Sequence, residues 1–162
     1  MAKVAIALGG NLGKVDTAFS DAVRLLSQAG MQEIQVSSFF QTTPVDCAPG
    51  TPDFLNGALI GEWPFQAETL LQTCQKIEIA LGRPASHGHN ASRTIDLDII
   101  LFGNEKINLP ELMVPHPRAV MRGFVMIPLA EIAPDWIIPG ESRTVAEIAA
   151  ELIKKDKIET KK

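Results

Sequence analysis

Asp96 and Asp98 stand two apart in the run Arg93-Thr-Ile-Asp-Leu-Asp-Ile-Ile-Leu101. On an extended chain residues two apart face the same side, so both carboxylates project together while Ile95, Leu97 and Ile99 face the other way. Like charges that close repel unless a cation or hydrogen-bond donors sit between them. Hard oxygen ligands at this spacing suit Mg²⁺. The plain alternative is a solvated polar strand face. The apolar run continuing to Phe102 reads as a central strand, which favours the metal.

Arginine gathers around this pair. Of six arginines in the chain, Arg83, Arg93, Arg118 and Arg122 lie between Leu81 and Gly123, as do all three histidines. A guanidinium fork matches phosphate oxygens two at a time, so arginines around a candidate Mg²⁺ site point to a polyphosphate, although each alone would read as a surface ion pair. His116, held between Pro115 and Pro117, can donate to a phosphate oxygen or simply pack the loop. His87 and His89 have no acid or cysteine at metal-ligand spacing. Gly9-Gly-Asn-Leu-Gly13 lacks the lysine and hydroxyl ending of a P-loop, and no nucleophile signature appears. The chemistry implied is metal-assisted transfer without a covalent intermediate.

The elements that must position these groups are legible from periodicity. Val4 to Leu8 is a short buried strand closed by Gly-Gly-Asn. Val15 to Gln28 repeats apolar residues every three or four positions and stops at Gly30, which predicts a helix. Ile34 to Phe40 alternates as a second strand. Thr42 to Asp53 holds three prolines and a glycine and must be loop. Phe54 to Ile60 is a further strand, and Gln66 to Leu81 a second helix stopped by Gly82. Arg83 to Ser92 reads as a second long loop, followed by a strand over Thr94–Phe102 and a short returning strand near Lys106-Ile-Asn. A short helix opening near Pro128 and stopping before Pro134 is expected, then a last helix over Val145–Ile153 capped by Ser142 or Thr144, with a frayed charged tail from 154 to 162. This order matches the split β-α-β of a ferredoxin-like α+β sandwich better than a doubly wound sheet.

The 162 residues suit a single domain, with 46% apolar and 21% charged side chains. A net charge of −4 argues against bulk nucleic-acid binding. Cys47 and Cys74 form no CxxC pair or disulfide framework, no signal peptide is evident, and no apolar run approaches the roughly 18 residues of a membrane span. A cytoplasmic monomer acting on small molecules, without nucleic acid or membrane partners, is expected. The surplus positive charge is local: five of nine lysines lie beyond Ile153, whereas the arginines cluster at the carboxylate pair.

The motifs Ala5-Ile-Ala-Leu-Gly9, Thr42-Thr-Pro44, Pro52-Asp-Phe54-Leu-Asn56, Gln75-Lys-Ile-Glu78 with Gly82-Arg83, Arg93-Thr-Ile-Asp96-Leu-Asp98, Val114-Pro-His116, Arg122-Gly-Phe124 and Glu131-Ile-Ala-Pro134 span nearly the whole chain. In order and spacing the chain resembles the 6-hydroxymethyl-7,8-dihydropterin pyrophosphokinases of folate biosynthesis, which move diphosphate from ATP to the pterin hydroxymethyl group. The resemblance implies a ferredoxin-like three-layer α-β-α sandwich, mainly antiparallel, with long active-site loops. It implies two Mg²⁺ ions on Asp96 and Asp98, and a pterin between Phe54 and Phe124. Asn56 and the backbone near Thr43 and Val45 would read the pterin edge. It also implies ATP held by Gln75, Glu78, His116 and Arg122, with the backbone of Ile99 and Met113 beside the adenine. Gln75 and Glu78, three apart on a helix, share a face and are expected to reach one ligand. Arg83 and Arg93 would stabilise the transferred charge together with the aspartates.

Three positions depart from the family pattern. Ala85 stands where a second loop arginine is usual, Asn90-Ala-Ser-Arg93 replaces a tryptophan-containing W-x-P-R, and Gly10 replaces a serine. They motivate a competing expectation, a divergent paralogue that binds pterin or nucleotide with little or no turnover. A nucleotide-sugar transferase of the DxD type is disfavoured by the short chain.

Overall fold

The computed structural model describes residues 1–10, 15–42, 54–82 and 95–160. Its centre is an antiparallel sheet with strand order β2-β4-β1-β5, made of β1 (Ala2–Gly10), β2 (Gln32–Val36), β4 (Phe54–Trp63) and β5 (Asp96–Phe102). A short β3 (Phe40–Thr42) pairs with the start of β4. Helices α1 (Val15–Gln28) and α2 (Ala67–Ala80) cover one face, and α3 (Gly123–Ile132) and α4 (Val145–Thr160) the other. Two crossings of strand-helix-strand with this order make the ferredoxin-like α-β-α sandwich.

The alternation of side-chain size in β1 decides how the two faces pack. Val4, Ile6 and Leu8 bury against Phe19 and Leu26 of α1 and Leu70 and Ile77 of α2. Ala5 and Ala7 face the other way, alongside Ala58 of β4, in the core that Val125, Met126 and Leu129 of α3 and Val145 and Ile148 of α4 complete. A row of alanines lets α3 lie close on the sheet, because no long side chain stands between backbone and helix.

Among the described residues β5 is an edge strand, not the central one its apolar run suggested, and pairs with β1 alone. Two of its backbone groups are nonetheless bonded from outside the sheet. Glu78 of α2 takes the Leu97 N–H at 2.8 Å, and the His116 N–H donates to the Ile100 carbonyl at 2.8 Å. An edge covered in this way can be as apolar as a central strand. The register slips between Ala5 and Ile6, which makes Ile100 an extra residue and turns both Ile100 and Leu101 to the α3–α4 core.

Other boundaries differ from expectation for identifiable reasons. The strand predicted over Ile34–Phe40 breaks into β2 and β3, because Ser37 bonds Ala58 through both its amide and its hydroxyl and Ser38 turns to Glu131. The segment near Lys106 forms β6 (Ile107–Leu109), which pairs with β7 (Leu112–Val114) as a separate two-stranded ribbon. Pro128 lies inside α3 rather than at its start; Gly123 opens the helix, and its first bond runs from the Met126 N–H to the Arg122 carbonyl. The tail is helical to Thr160. At the start of α4, the Glu147 N–H donates to Thr144 Oγ1 at 3.2 Å and the Thr144 N–H to Glu147 Oε1 at 2.9 Å, a capping box that selects Thr144 over Ser142.

Candidate active site

Two cross-strand rows organise one end of the sheet. Gly9 lies opposite both Asn56 and Asp96, and Asn56 lies opposite Phe40, so the row runs Phe40, Asn56, Gly9, Asp96. The neighbouring row runs Ala58, Ala7, Asp98. Residues directly opposite share a face, and Ala7 and Ala58 lie in the α3–α4 core, so Asn56 and both aspartates belong to that same face. Two strand spacings separate the Asn56 and Asp96 positions by about 10 Å. Glycine between them puts no side chain of β1 there: among the described residues a Cβ at Gly9 would meet Asn56 Oδ1, at 3.8 Å.

The two carboxylates differ in exposure, Asp98 being exposed and Asp96 intermediate, while Leu97 and Ile99 on the other side are buried. Among the described residues no group of three or more His, Cys, Asp or Glu gathers at metal-ligand geometry. A pair suffices for Mg²⁺, which keeps several waters and takes substrate phosphates to complete its shell. The donor set therefore fits a Mg²⁺–nucleotide better than a resident, protein-caged ion.

His116 lies within electrostatic reach of Asp98. Its Nδ1 accepts the Arg118 N–H at 3.2 Å, which leaves the proton of the neutral ring on Nε2 as a donor. Burial holds its pKa below the usual histidine range; Asp98 pulls the other way, and Arg122 and Arg118 add to the lowering. Asp98, His116, Arg118 and Arg122 thus form one electrostatic neighbourhood. The Arg122 guanidinium lies 5.6 Å from the Phe124 ring centre, and Phe124, at the head of α3, is 41% exposed. A phenyl ring so exposed is not a core residue. With Arg122 over it, the ring still presents apolar surface that a flat partner could cover.

Glu78 departs from expectation. It is 6% exposed and accepts the Leu97 N–H, whereas Gln75 on the same helix is exposed, so the two sit in different surroundings. Glu78 instead seals and orients the strand that carries the aspartates. Beside it Cys74 is buried, and that burial, with Glu78 and Asp98 nearby, pushes its thiol well above the usual range. It is an inert packing group. Ile99 is buried, and Met113 on β7 is 46% exposed. Phe54 opens β4, but its ring, together with Thr43, Val45, Arg83, Ala85, Asn90 and Arg93, and the histidines His87 and His89, lies outside the described residues.

Sequence reasoning missed two supports. Asn56 Nδ2 makes a long 3.5 Å contact to the Phe40 carbonyl, and the carboxylate of Glu131 grips both the N–H and the hydroxyl of Ser38. The pairing Glu131–Ser38 has no local signal, because 93 residues separate the partners.

Residues 5–134 match the family model described as 7,8-dihydro-6-hydroxymethylpterin-pyrophosphokinase (HPPK). The 2-amino-4-hydroxy-6-hydroxymethyldihydropteridine pyrophosphokinase of Bacillus subtilis is 43% identical over 128 residues, covering 78% of this chain and 75% of its own. The protein of that name from Methylorubrum extorquens is 34% identical over 156 residues, 94% of each chain. Among solved structures, Plasmodium falciparum HPPK-DHPS with pteroate superposes with a TM-score of 0.73 at 12% identity over 97% of this chain. The chain spans 45% of that longer protein, and the likeness there is one of fold. Whole-length agreement in sequence order, together with the same fold, settles the relationship: the chain belongs to the 7,8-dihydro-6-hydroxymethylpterin-pyrophosphokinase family, the ATP-dependent diphosphotransferases of folate synthesis.

Proposed function

We propose that the chain, acting as a monomer, transfers diphosphate from ATP to the hydroxymethyl oxygen of 6-hydroxymethyl-7,8-dihydropterin and releases AMP, with two Mg²⁺ ions held against Asp96 and Asp98. The observation that carries this reading is the row Asn56, Gly9, Asp96. It sets a side chain able to read a heterocycle's edge about 10 Å from a carboxylate pair, with a glycine between them. A bicyclic pterin lying on Asn56 would direct its hydroxymethyl group toward the aspartates.

In the reaction the hydroxymethyl oxygen attacks the β-phosphorus, the bond from that phosphorus to the α-bridging oxygen breaks, and the hydroxyl proton is released. Mg²⁺, when bound, neutralises charge on the phosphates as it redistributes. The chain's own groups position and polarise. Asp96 and Asp98 would hold the metal ions, His116 offers its Nε2–H to a phosphate oxygen without carrying charge, and Arg122 adds a fixed positive charge beside the Phe124 ring. In this reading Arg83 and Arg93 would complete the phosphate clamp, Gln75, Glu78 and the backbone at Ile99 and Met113 would border the nucleotide, and Phe54 and Phe124 would take the pterin between them with Thr43 and Val45 at its edge. Positioning supplies most of the acceleration.

The test is product identification after incubation with ATP, Mg²⁺ and the pterin. Equal amounts of AMP and pterin diphosphate, abolished by chelating the metal, are expected. Formation of ADP, or product undiminished by chelation, contradicts the reading.

A further inference from the structure

The bend between β2 and β3 is fastened on three sides. Ser37 exchanges its amide for the Ala58 carbonyl at 2.9 Å while its hydroxyl receives the Ala58 N–H at 2.9 Å, which locks the bend to β4. Phe39 turns into the α1–α2 core, with its ring edge-on to Phe19 at 4.8 Å and lying over Gly57, where a Cβ would come within 2.5 Å of the ring. Ser38 turns to the opposite face. Its N–H donates to Glu131 Oε1 at 2.9 Å and its hydroxyl to Glu131 Oε2 at 2.7 Å, so one carboxylate of α3 grips the bend with both oxygens. These two bonds hold the carboxyl's pKa below its usual range, as a group whose charged form is the one being bonded must be.

The bend and the helix each lead to the pterin slot. Two residues after Ser38, Phe40 pairs with Asn56, and its carbonyl faces Asn56 Nδ2. Seven residues before Glu131 on the same helix stands Phe124, about 10 Å away along the axis. Glu131 is the one residue seen to bond the bend from α3 among the described residues. We propose that Glu131 is a positioning residue for pterin: by clamping Ser38 it fixes the spacing between the Asn56 row and the α3 helix that presents Phe124. The proposal rests on the assignment of that slot to pterin. Glu131 touches no substrate, and its effect is on binding geometry and not on phosphate chemistry.

The test compares Glu131→Ala, Glu131→Gln and Ser38→Ala with the unaltered chain. Two readouts are used: steady-state kinetics in each substrate, and calorimetric titration of the pterin in the presence of Mg²⁺ and the α,β-methylene analogue of ATP. Loss of one net hydrogen-bonded clamp predicts a roughly three- to tenfold rise in pterin KM and Kd for Glu131→Ala, with kcat and the KM for ATP within about twofold. Glu131→Gln, whose amide oxygen can still accept the Ser38 N–H, should fall between Ala and Glu. Ser38→Ala made on top of Glu131→Ala should add little, because both remove one interaction. A merely structural stitch would lower the melting temperature without separating the two substrates. If the unaltered chain binds the analogue but not pterin, the assignment of the slot fails and the proposal with it. If it binds and converts pterin while Glu131→Ala matches it in pterin KM and Kd, or shifts both substrates alike, the clamp proposal alone is overturned.

Discussion

At the scale of single residues, the site depends on groups whose charge state is fixed by their surroundings. Burial and two arginines keep His116 neutral, and its Nδ1 is already committed to the Arg118 N–H. In the ligand-free protein its ring should titrate, by NMR, below the ordinary value of about 6.5. Because the folded value is depressed, the unfolded chain takes up a proton between the two values that the folded chain does not. His116's contribution to stability is therefore complete above the ordinary histidine range and declines as pH falls through that window. A midpoint at or above the ordinary value would contradict the burial argument. For Phe124, replacement by alanine removes an exposed ring face and should raise pterin KM about tenfold with little change in the melting temperature. An unchanged pterin KM would take Phe124 out of the slot. Much of this scale was readable in advance. Asp96 and Asp98 announced themselves, since alternation alone turns them to one face. Glu78 did not, because its partner is a backbone N–H supplied by a strand 19 residues away, and helix spacing reports a face without saying what lies against it.

At the scale of elements, glycine and alanine on β1 and β4 shape the site by what they leave out. Gly57→Ala would drive a methyl group into the Phe39 ring, and the ring cannot yield without leaving Phe19. We expect a loss of about 1–3 kcal/mol in denaturant unfolding, together with weakened pterin binding, because the bend before β3 would move. Stability equal to the unaltered chain would mean that this contact is loose. Thr144→Ala, which opens the capping box of α4 far from the site, should cost about 1 kcal/mol and leave catalysis unchanged. The helices α1 and α2 were legible because a 3.6-residue period survives whatever the helix packs against. Strand position was not legible. β5 looked central because its open edge is closed by Glu78 and by the His116 N–H, partners drawn from two other elements. The break between β2 and β3 also escaped prediction, since Ser37 and Ser38 are turned by Ala58 and Glu131 and not by any local turn signal.

For the whole molecule, a net charge of −4 and a polyphosphate substrate are compatible because the charges are segregated. The lysines crowd the C-terminal end, while Arg118 and Arg122 share the electrostatic surroundings of His116 with Asp98. The α-β-α sandwich was readable from element order, and the family from motif order. The geometry that makes a site of them comes from β1, where Gly9, just beyond the alanines that α3 covers, stands between Asn56 and Asp96. Family membership speaks for turnover, the departures at Ala85 and Asn90 notwithstanding. The most direct test is the rate of pterin-dependent AMP release by the unaltered chain and by Asp96→Ala and Asp98→Ala. The account predicts AMP release that requires the pterin, and a fall of at least about a hundredfold in kcat for each substitution with the fold intact. No pterin-dependent AMP from the unaltered chain, or undiminished release from either variant, would contradict it.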